Sequence, residues 1–390
     1  MEFEFWWLFV IPAFFLGWVA ARIDIKQLLS ESRSLPHSYF KGLNFLLNEQ
    51  PDKAIDAFIE IVKLDPETAE LHFALGSLFC RRGEIERAIR IHQNLLSRPD
   101  LPSDQREHAM YELGQDYLKA GLFDRAEETF NHLLDTQYGV QARRALLDIY
   151  QRVKEWQRAI DAATALQETG AGSRQKEIAH FYCELAQDNL AKSRPALALP
   201  LLDQALTTDR MCVRATILTG DALLANGETE RALQTWRRVE KQSLPHVALV
   251  AQRLLDGYQT IGRPQEGLHL LKSYLTEASS IDMLDVVFKA QLEQDGAEAA
   301  YQLVSDELRR TPTLLGLDKL IEARMMISPT EIRPDLSMVK DLVHGYAQKL
   351  GRYQCGNCGF KARQFYWQCP GCNHWESYPP RRTEELVVMS

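Results

Sequence analysis

Apolar residues run without a charge from Phe5 to Ala21, between Glu4 and Arg22, as FWWLFVIPAFFLGWVAA. Seventeen residues wound as a helix span roughly 26 Å, just short of a hydrocarbon core of ~30 Å. Trp6, Trp7 and Trp18 suit the two interfaces, and Pro12 and Gly17 are tolerated in such a helix. The leading charges are Glu2 and Glu4, and no A-x-A-like cleavage site is evident, so the pattern departs from a cleaved secretory signal. It predicts a retained single-pass transmembrane anchor over 1–23 and a juxtamembrane linker over 24–34. Arg22, Lys26 and Arg33 all follow the span. Positive residues stay inside, so the bulk of the chain is expected to face the cytoplasm.

Beyond Leu35 the apolar positions recur with a helical period, and whole segments recur as well. Gly42 and Gly76 lie 34 residues apart, as do Ala54 and Ala88. GLNFLLNEQPDKAIDAFIEIVKLDP is followed by GSLFCRRGEIERAIRIHQNLLSRPD and then by GQDYLKAGLFDRAEETFNHLLD, with Gly114, Tyr117, Ala126 and Phe130 in corresponding slots. A period of 34 with small residues at two fixed places resembles the tetratricopeptide repeat. Each unit is expected to be two antiparallel helices. Small residues let the helices approach, Phe45 and Phe58 fill the space between them, and Pro66 stops the second helix. One pair cannot bury its apolar face alone, whereas stacked pairs share a core. Ala159, Ala198 and Ala232 continue the second-helix slot at spacings of 33, 39 and 34. Gly220 marks a clean later unit, Gly267 and Ala300 mark weaker ones, and Pro312 falls where a repeat ends. The reading is an array of about eight helical pairs over 35–328.

After Pro329 and Pro334, LSMVKDLVHGYAQKL predicts a connecting helix over 335–351, with Asp335 as N-cap and Gly351 at its end. Leu336, Val339, Leu342, Val343, Tyr346 and Leu350 share a face expected to meet the final repeat.

Four of the seven cysteines then fall in CGNCGFKARQFYWQCPGC. Cys355 and Cys358 form one C-x-x-C, and Cys369 and Cys372 another. On the cytoplasmic side disulfides are disfavoured, and two such pairs at this spacing point to one tetrahedral four-thiolate metal ion, iron or zinc. Gly359 and Asn373 follow the two pairs and tolerate the turn that aims backbone N–H groups at the sulfurs. Four thiolates leave no open position for hydrolytic chemistry. A structural ion would organise the domain over 352–378, with Tyr353, Phe360, Phe365, Tyr366, Trp367 and Trp375 shielding it. An iron site transferring one electron stays open. A tail over 379–390 follows.

Composition narrows the function. The chain is 45% apolar and 25% charged with a formal net charge of −8, which argues against general nucleic-acid binding. Lys361, Arg363, Arg381 and Arg382 could support a zinc ribbon on nucleic acid, but are more simply a solvated face. The array carries no phosphate loop, H-E-x-x-H or G-x-S-x-G, so no catalytic residues are assigned and the chain is read as a non-enzyme. Cys80, Cys183 and Cys212 read as buried small hydrophobes. Such arrays bind partners on their first helices, where Tyr39, Leu43, Phe73 and Tyr111 are the groove candidates, with burial in the core as the competing reading.

The C-G-N-C-G…C-P-G-C pattern resembles a rubredoxin-type knuckle, with a shorter gap than in free-standing rubredoxins. The order of parts, from one-span anchor through tetratricopeptide array to terminal knuckle, resembles the lipopolysaccharide assembly protein B family over essentially the whole chain. The fold class expected is therefore mainly α: one transmembrane helix, an α-solenoid and a small rubredoxin-like metal domain. The resemblance implies a protein of the bacterial inner membrane that brings the LpxC deacetylase to the FtsH membrane protease, so regulating lipopolysaccharide biosynthesis by proteolysis. It also implies contact with other lipopolysaccharide assembly proteins, and metal ligands at Cys355, Cys358, Cys369 and Cys372. The alternatives are a scaffold for biosynthetic enzymes with no proteolytic role, or a rubredoxin-type redox protein. A homodimer through the anchor or the repeats is compatible with the sequence, which shows no motif for one.

Overall fold

The computed structural model describes residues 69–388, together with Asn44, Phe45, Gln50, Lys53, Ala54, Ile55, Ala57 and Ile59. The expected anchor and linker, the groove candidates Tyr39 and Leu43, and Gly42, Phe58 and Pro66 lie outside the described residues. Among the described residues no helix is long and apolar enough to cross a membrane.

The chain divides into two compact units at Ile149 and Tyr150. In the first, α1 (Ala69–Arg81) pairs with α2 (Ile85–Leu96), α3 (Ser103–Lys119) pairs with α4 (Phe123–Asn131), and α5 (Gly139–Val153) follows. The slots expected to be small and buried are so: Ala54, Ala88 and Ala126 are fully buried. Phe130 fills the slot four residues after Ala126 and is itself fully buried. A Cβ placed on Gly114 would come within 2.7 Å of its ring, which is why this helix crossing needs glycine. The equivalent slot in the preceding repeat holds His92, buried to 1% exposure, and its Nδ1 meets Asp116 Oδ2 of α3 at 2.7 Å. A polar ring in an aromatic slot thus obtains its hydrogen bond from the next repeat.

The second unit continues with α6 (Trp156–Glu168), α7 (Gln175–Ala191), α8 (Pro195–Thr208), α9 (Val213–Ala225) and α10 (Thr229–Arg237). A short α11 (Val239–Gln242) and a 3-10 turn (Leu244–Leu249) are inserted before α12 (Ala251–Thr260) and α13 (Pro264–Glu277). Then come α14 (Ile281–Asp295), α15 (Ala297–Arg310), α16 (Leu314–Ile327) and α17 (Arg333–Leu350). Ala159, Ala198, Ala232 and Ala300 are fully buried. Trp236 is fully buried against Gly220 and donates its indole N–H to the Ile217 carbonyl at 3.1 Å. The core runs from Trp236 through Val250, Leu254 and Leu271 to Val287, Phe288 and Val304.

Two local expectations are corrected. Asp335 lies in the first turn of α17 and is not its N-cap, which is Ile332 without a side-chain hydrogen bond. The apolar face of α17 does not pack as a whole. Leu336 and Val343 are half-buried and Ala347 is buried, but Val339, Leu342 and Tyr346 are 42%, 62% and 66% exposed. Their arc exceeds roughly 100° of the helix surface, more than α16, its main neighbour among the described residues, covers.

Candidate metal centre and its docking face

After α17 the chain forms two matching turns. β1 (Tyr353–Gln354) pairs antiparallel with β2 (Lys361–Ala362), with Tyr353 opposite Ala362 and Gln354 opposite Lys361. The first C-x-x-C occupies the tip between them. The second is closed by a bridge between Gln368 and Trp375. Cys355 N–H bonds to Phe360 O at 2.9 Å and Gly359 N–H to Cys355 O at 3.0 Å. The second turn repeats this: Cys369 N–H bonds to His374 O at 2.9 Å, and Asn373 N–H to Cys369 O at 2.8 Å. Gly359 (φ 76°) and Asn373 (φ 56°) both take the left-handed conformation that the turns require. The N–H groups of Asn357 and Gly371 then point at Cys355 Sγ and Cys369 Sγ, each at 3.4 Å.

The four sulfurs of Cys355, Cys358, Cys369 and Cys372 lie within 4.8 Å of one another. Cys355 and Cys372 are 3.8 Å apart and Cys358 and Cys369 3.7 Å, with no disulfide among them. An ion about 2.3 Å from each of four tetrahedral sulfurs separates them by about 3.8 Å. The donor set therefore fits one tetrahedral metal ion. Burial opposes ionisation of Cys355, but hydrogen bonds from Ser377 and from the N–H groups of Cys358 and Asn357 bring its thiol down to about 6. The Phe360 N–H favours the Cys358 thiolate, but burial and the surrounding thiols outweigh it and push Cys358 up to about 12. Four thiolates cannot share this space without a cation to hold them.

Tyr353, Cys355, Cys369 and Tyr378 form the knuckle's small core, with Phe365 and Tyr366 against it. Tyr378 is a shielding residue not singled out from the sequence. Its hydroxyl donates to Phe360 O at 3.2 Å and sits 3.9 Å from Cys369 Sγ. Three of the expected shields act otherwise. Phe360 is 45% exposed, and the two tryptophans face the helices. Trp375 stacks on His180 of α7 at 4.7 Å and 15°, meets Trp156 and Phe181 edge-on, and donates to Gln151 Oε1 at 3.3 Å. Trp367 lies parallel to the His246 ring at 5.7 Å. Beside them His180 Nε2 meets Glu376 Oε1 at 3.1 Å.

A second seam lies near the end of the chain. Arg382 is no solvated cation: its Nη2 meets Asp282 Oδ1 at 2.7 Å, its Nη1 meets Gly351 O at 2.6 Å, and it covers the Tyr353 ring at 4.3 Å. Tyr353 also hydrogen-bonds Asp282. In α18 (Thr383–Val388), the buried carboxylates of Glu384 and Glu385 accept N–H groups at the starts of two repeat helices. Glu384 takes Leu314 and Leu315, and Glu385 takes Ile281 at 2.9 Å. Carboxylates there satisfy orphan donors and complement the helix dipoles.

In the first unit Phe73 and Tyr111 are half-buried. They belong to one run of rings: Phe73 stacks on His108 at 4.2 Å, His108 on Tyr138 at 5.9 Å, and Tyr138 on Tyr111 at 5.0 Å. His108 and Tyr138 were not legible as partners because their spacing matches no single helical face. Of the other cysteines, Cys183 and Cys212 are buried as expected, whereas Cys80 is half-buried and accepts from Lys119 Nζ at 3.0 Å.

Stacked antiparallel helix pairs joined to a four-thiol knuckle define a tetratricopeptide-repeat protein with a terminal metal-binding domain. The chain matches the tetratricopeptide repeat over 41–98, 111–174 and 183–245, and the rubredoxin metal binding domain over 353–379. It is 37% identical to lipopolysaccharide assembly protein B of Escherichia coli K12, over 94% of this chain and 95% of that one. The Haemophilus influenzae protein of the same name is 28% identical, over 95% and 96%. This chain belongs to the lipopolysaccharide assembly protein B family. A solved structure of Naa15/Naa10 bound to HypK-THB superposes with a TM-score of 0.41 at 16% identity, over 74% of this chain and 45% of that one, too loosely to carry any argument.

Proposed function

We propose that this chain is a non-enzymatic, membrane-anchored adaptor of lipopolysaccharide biosynthesis. It sits in the bacterial inner membrane with its repeats in the cytoplasm and promotes degradation of the LpxC deacetylase by the FtsH protease. The observation that carries the reading is the end-to-end likeness to lipopolysaccharide assembly protein B, at 37% identity over 94% of the chain. The architecture supports it. The stacked repeats offer surface, and the run Phe73–His108–Tyr138–Tyr111 offers an aromatic face to a partner segment. An anchor beside a membrane protease would raise the effective concentration of whatever the repeats hold. The knuckle holds iron or zinc through Cys355, Cys358, Cys369 and Cys372 in a structural role. Its sulfur shell is closed, and its tryptophans are committed to the repeats.

A photo-crosslinking residue at Phe73 or Tyr111 tests the reading in cells. Capture of the deacetylase or the protease at these positions, and not at exposed Arg81, supports it. Capture of neither contradicts it. The relatives' name, assembly protein, also suits a scaffold for biosynthetic enzymes. Proximity labelling that returns such enzymes and no protease would favour that second reading.

A further inference from the structure

The two C-x-x-C turns match in backbone but not in side chains, and the difference falls on one sulfur. Cys355 and Cys369 are buried in the knuckle's small core, whereas Cys358 is exposed and Cys372 half-buried. The outer pair therefore meets water, and an ion held by such a shell is most easily reached from that side. The slot before the second cysteine of each turn holds Asn357 in the first and Gly371 in the second. Each gives its backbone N–H to the inner sulfur of its own turn. Only Asn357 has a side chain to send further.

Its Nδ2 lies 3.4 Å from Cys372 Sγ, the outer sulfur of the opposite turn, and 3.2 Å from His374 Nδ1. An amide oxygen in that place would be repelled by a thiolate, so the N–H is the group that faces the sulfur. The second turn has no equivalent. Glycine offers no side-chain donor, and a Cβ at Gly371 would press on Phe360 Cβ at 3.2 Å. The backbone does not explain the asparagine either, because the positive φ of the first turn falls on Gly359 and not on Asn357. A donor on a thiolate stabilises its negative charge and strengthens it against competing protons and water. Ferrous iron in four thiolates carries one more negative charge than ferric iron, so the same donor favours the reduced ion. We propose that Asn357 is a positioning residue of the metal centre, tying the first turn to the Cys372 thiolate of the second and so setting how fast the ion is released and the reduction potential of iron held there. The proposal rests on the knuckle's holding a metal ion and is independent of the adaptor role.

The test uses the full chain in detergent, loaded in separate samples with zinc and with iron. Asn357→Ala removes the donor. Asn357→Asp keeps the shape and sets a negative charge against the sulfur. Zinc release to excess chromogenic chelator is expected to quicken about 10-fold in Asn357→Ala and further in Asn357→Asp. In the iron-loaded chain the midpoint potential, followed by bleaching of the visible thiolate-to-iron band, is expected to fall in the same order. Asn357→Gln, which can still donate, should lie nearer the native chain than Asn357→Ala in both measurements. The metal bound at saturation should not change, since all four cysteines remain. A side chain that served only the turn would leave the potential unmoved and make the Ala and Asp variants alike. Native release and an unmoved potential in Asn357→Asp overturn the proposal. So does an equal loss in all three variants. A native chain that takes up neither metal removes the reading of the knuckle as a metal centre, and the proposal with it.

Discussion

His92 occupies a slot that holds Phe130 one repeat later and Trp236 in the second unit, and it is as buried as they are. What makes a histidine tolerable there is Asp116, a residue 24 positions away on the next repeat's first helix. The slot was legible from the alanines four residues upstream, but the partner was not. Nothing in a local pattern says that a buried ring needs an acceptor from a neighbouring unit. Asp116→Ala should cost about 1–3 kcal/mol, because it leaves a buried donor unmet. His92→Phe in the same background should recover most of the loss, read as the denaturant midpoint. Gly220→Ala should also destabilise, by about 1–3 kcal/mol, since its Cβ would drive into Trp236.

The docking histidines add a pH dependence at the same scale. Burial holds the protonation of His180 and His246 below the usual imidazole range. Hydrogen bonding from His180 lowers the Glu376 carboxyl. For the imidazoles the unfolded chain takes up protons first as pH falls, so stability is full above the unfolded pKa of about 6.5 and declines below it. The carboxylate contributes above its unfolded pKa and is lost only at lower pH, so it adds in the same direction. The thermal midpoint of the second unit should fall between about pH 7 and about pH 5.5, and His180→Gln should flatten that slope.

At the scale of elements, the two C-x-x-C turns were readable in full, because metal-ligand spacing and the need for a residue tolerating positive φ are local constraints. The orientation of the surrounding aromatics was not. Trp367 and Trp375 lie within three residues of a cysteine, much as Tyr353 does, and only tertiary packing shows that they face His246 and His180. The carboxylates of α18, expected as part of a tail, likewise acquire their role from helix starts about 70 and 104 residues distant. These contacts separate two functions of the knuckle. Cys355→Ser should lose the metal and unfold the knuckle while the repeats persist, since binding supplies on the order of 10–16 kcal/mol of folding free energy in comparable sites. Trp375→Ala should keep the metal and loosen the seam, seen as faster amide exchange in α7. If Trp375→Ala leaves that exchange unchanged, the stacking is incidental.

At the scale of the whole molecule, the order of its parts carries more information than any one residue. A repeat array says only that something is bound, and a closed thiolate site says only that a small domain is held together. Full-length kinship to lipopolysaccharide assembly protein B joins them to one process. The most direct test of the adaptor account is the half-life of the LpxC deacetylase after translation is blocked, in cells lacking this chain and in cells with it restored. The account predicts a several-fold longer half-life without the chain, reversed by the intact chain and not by Cys355→Ser. An unchanged half-life would contradict it.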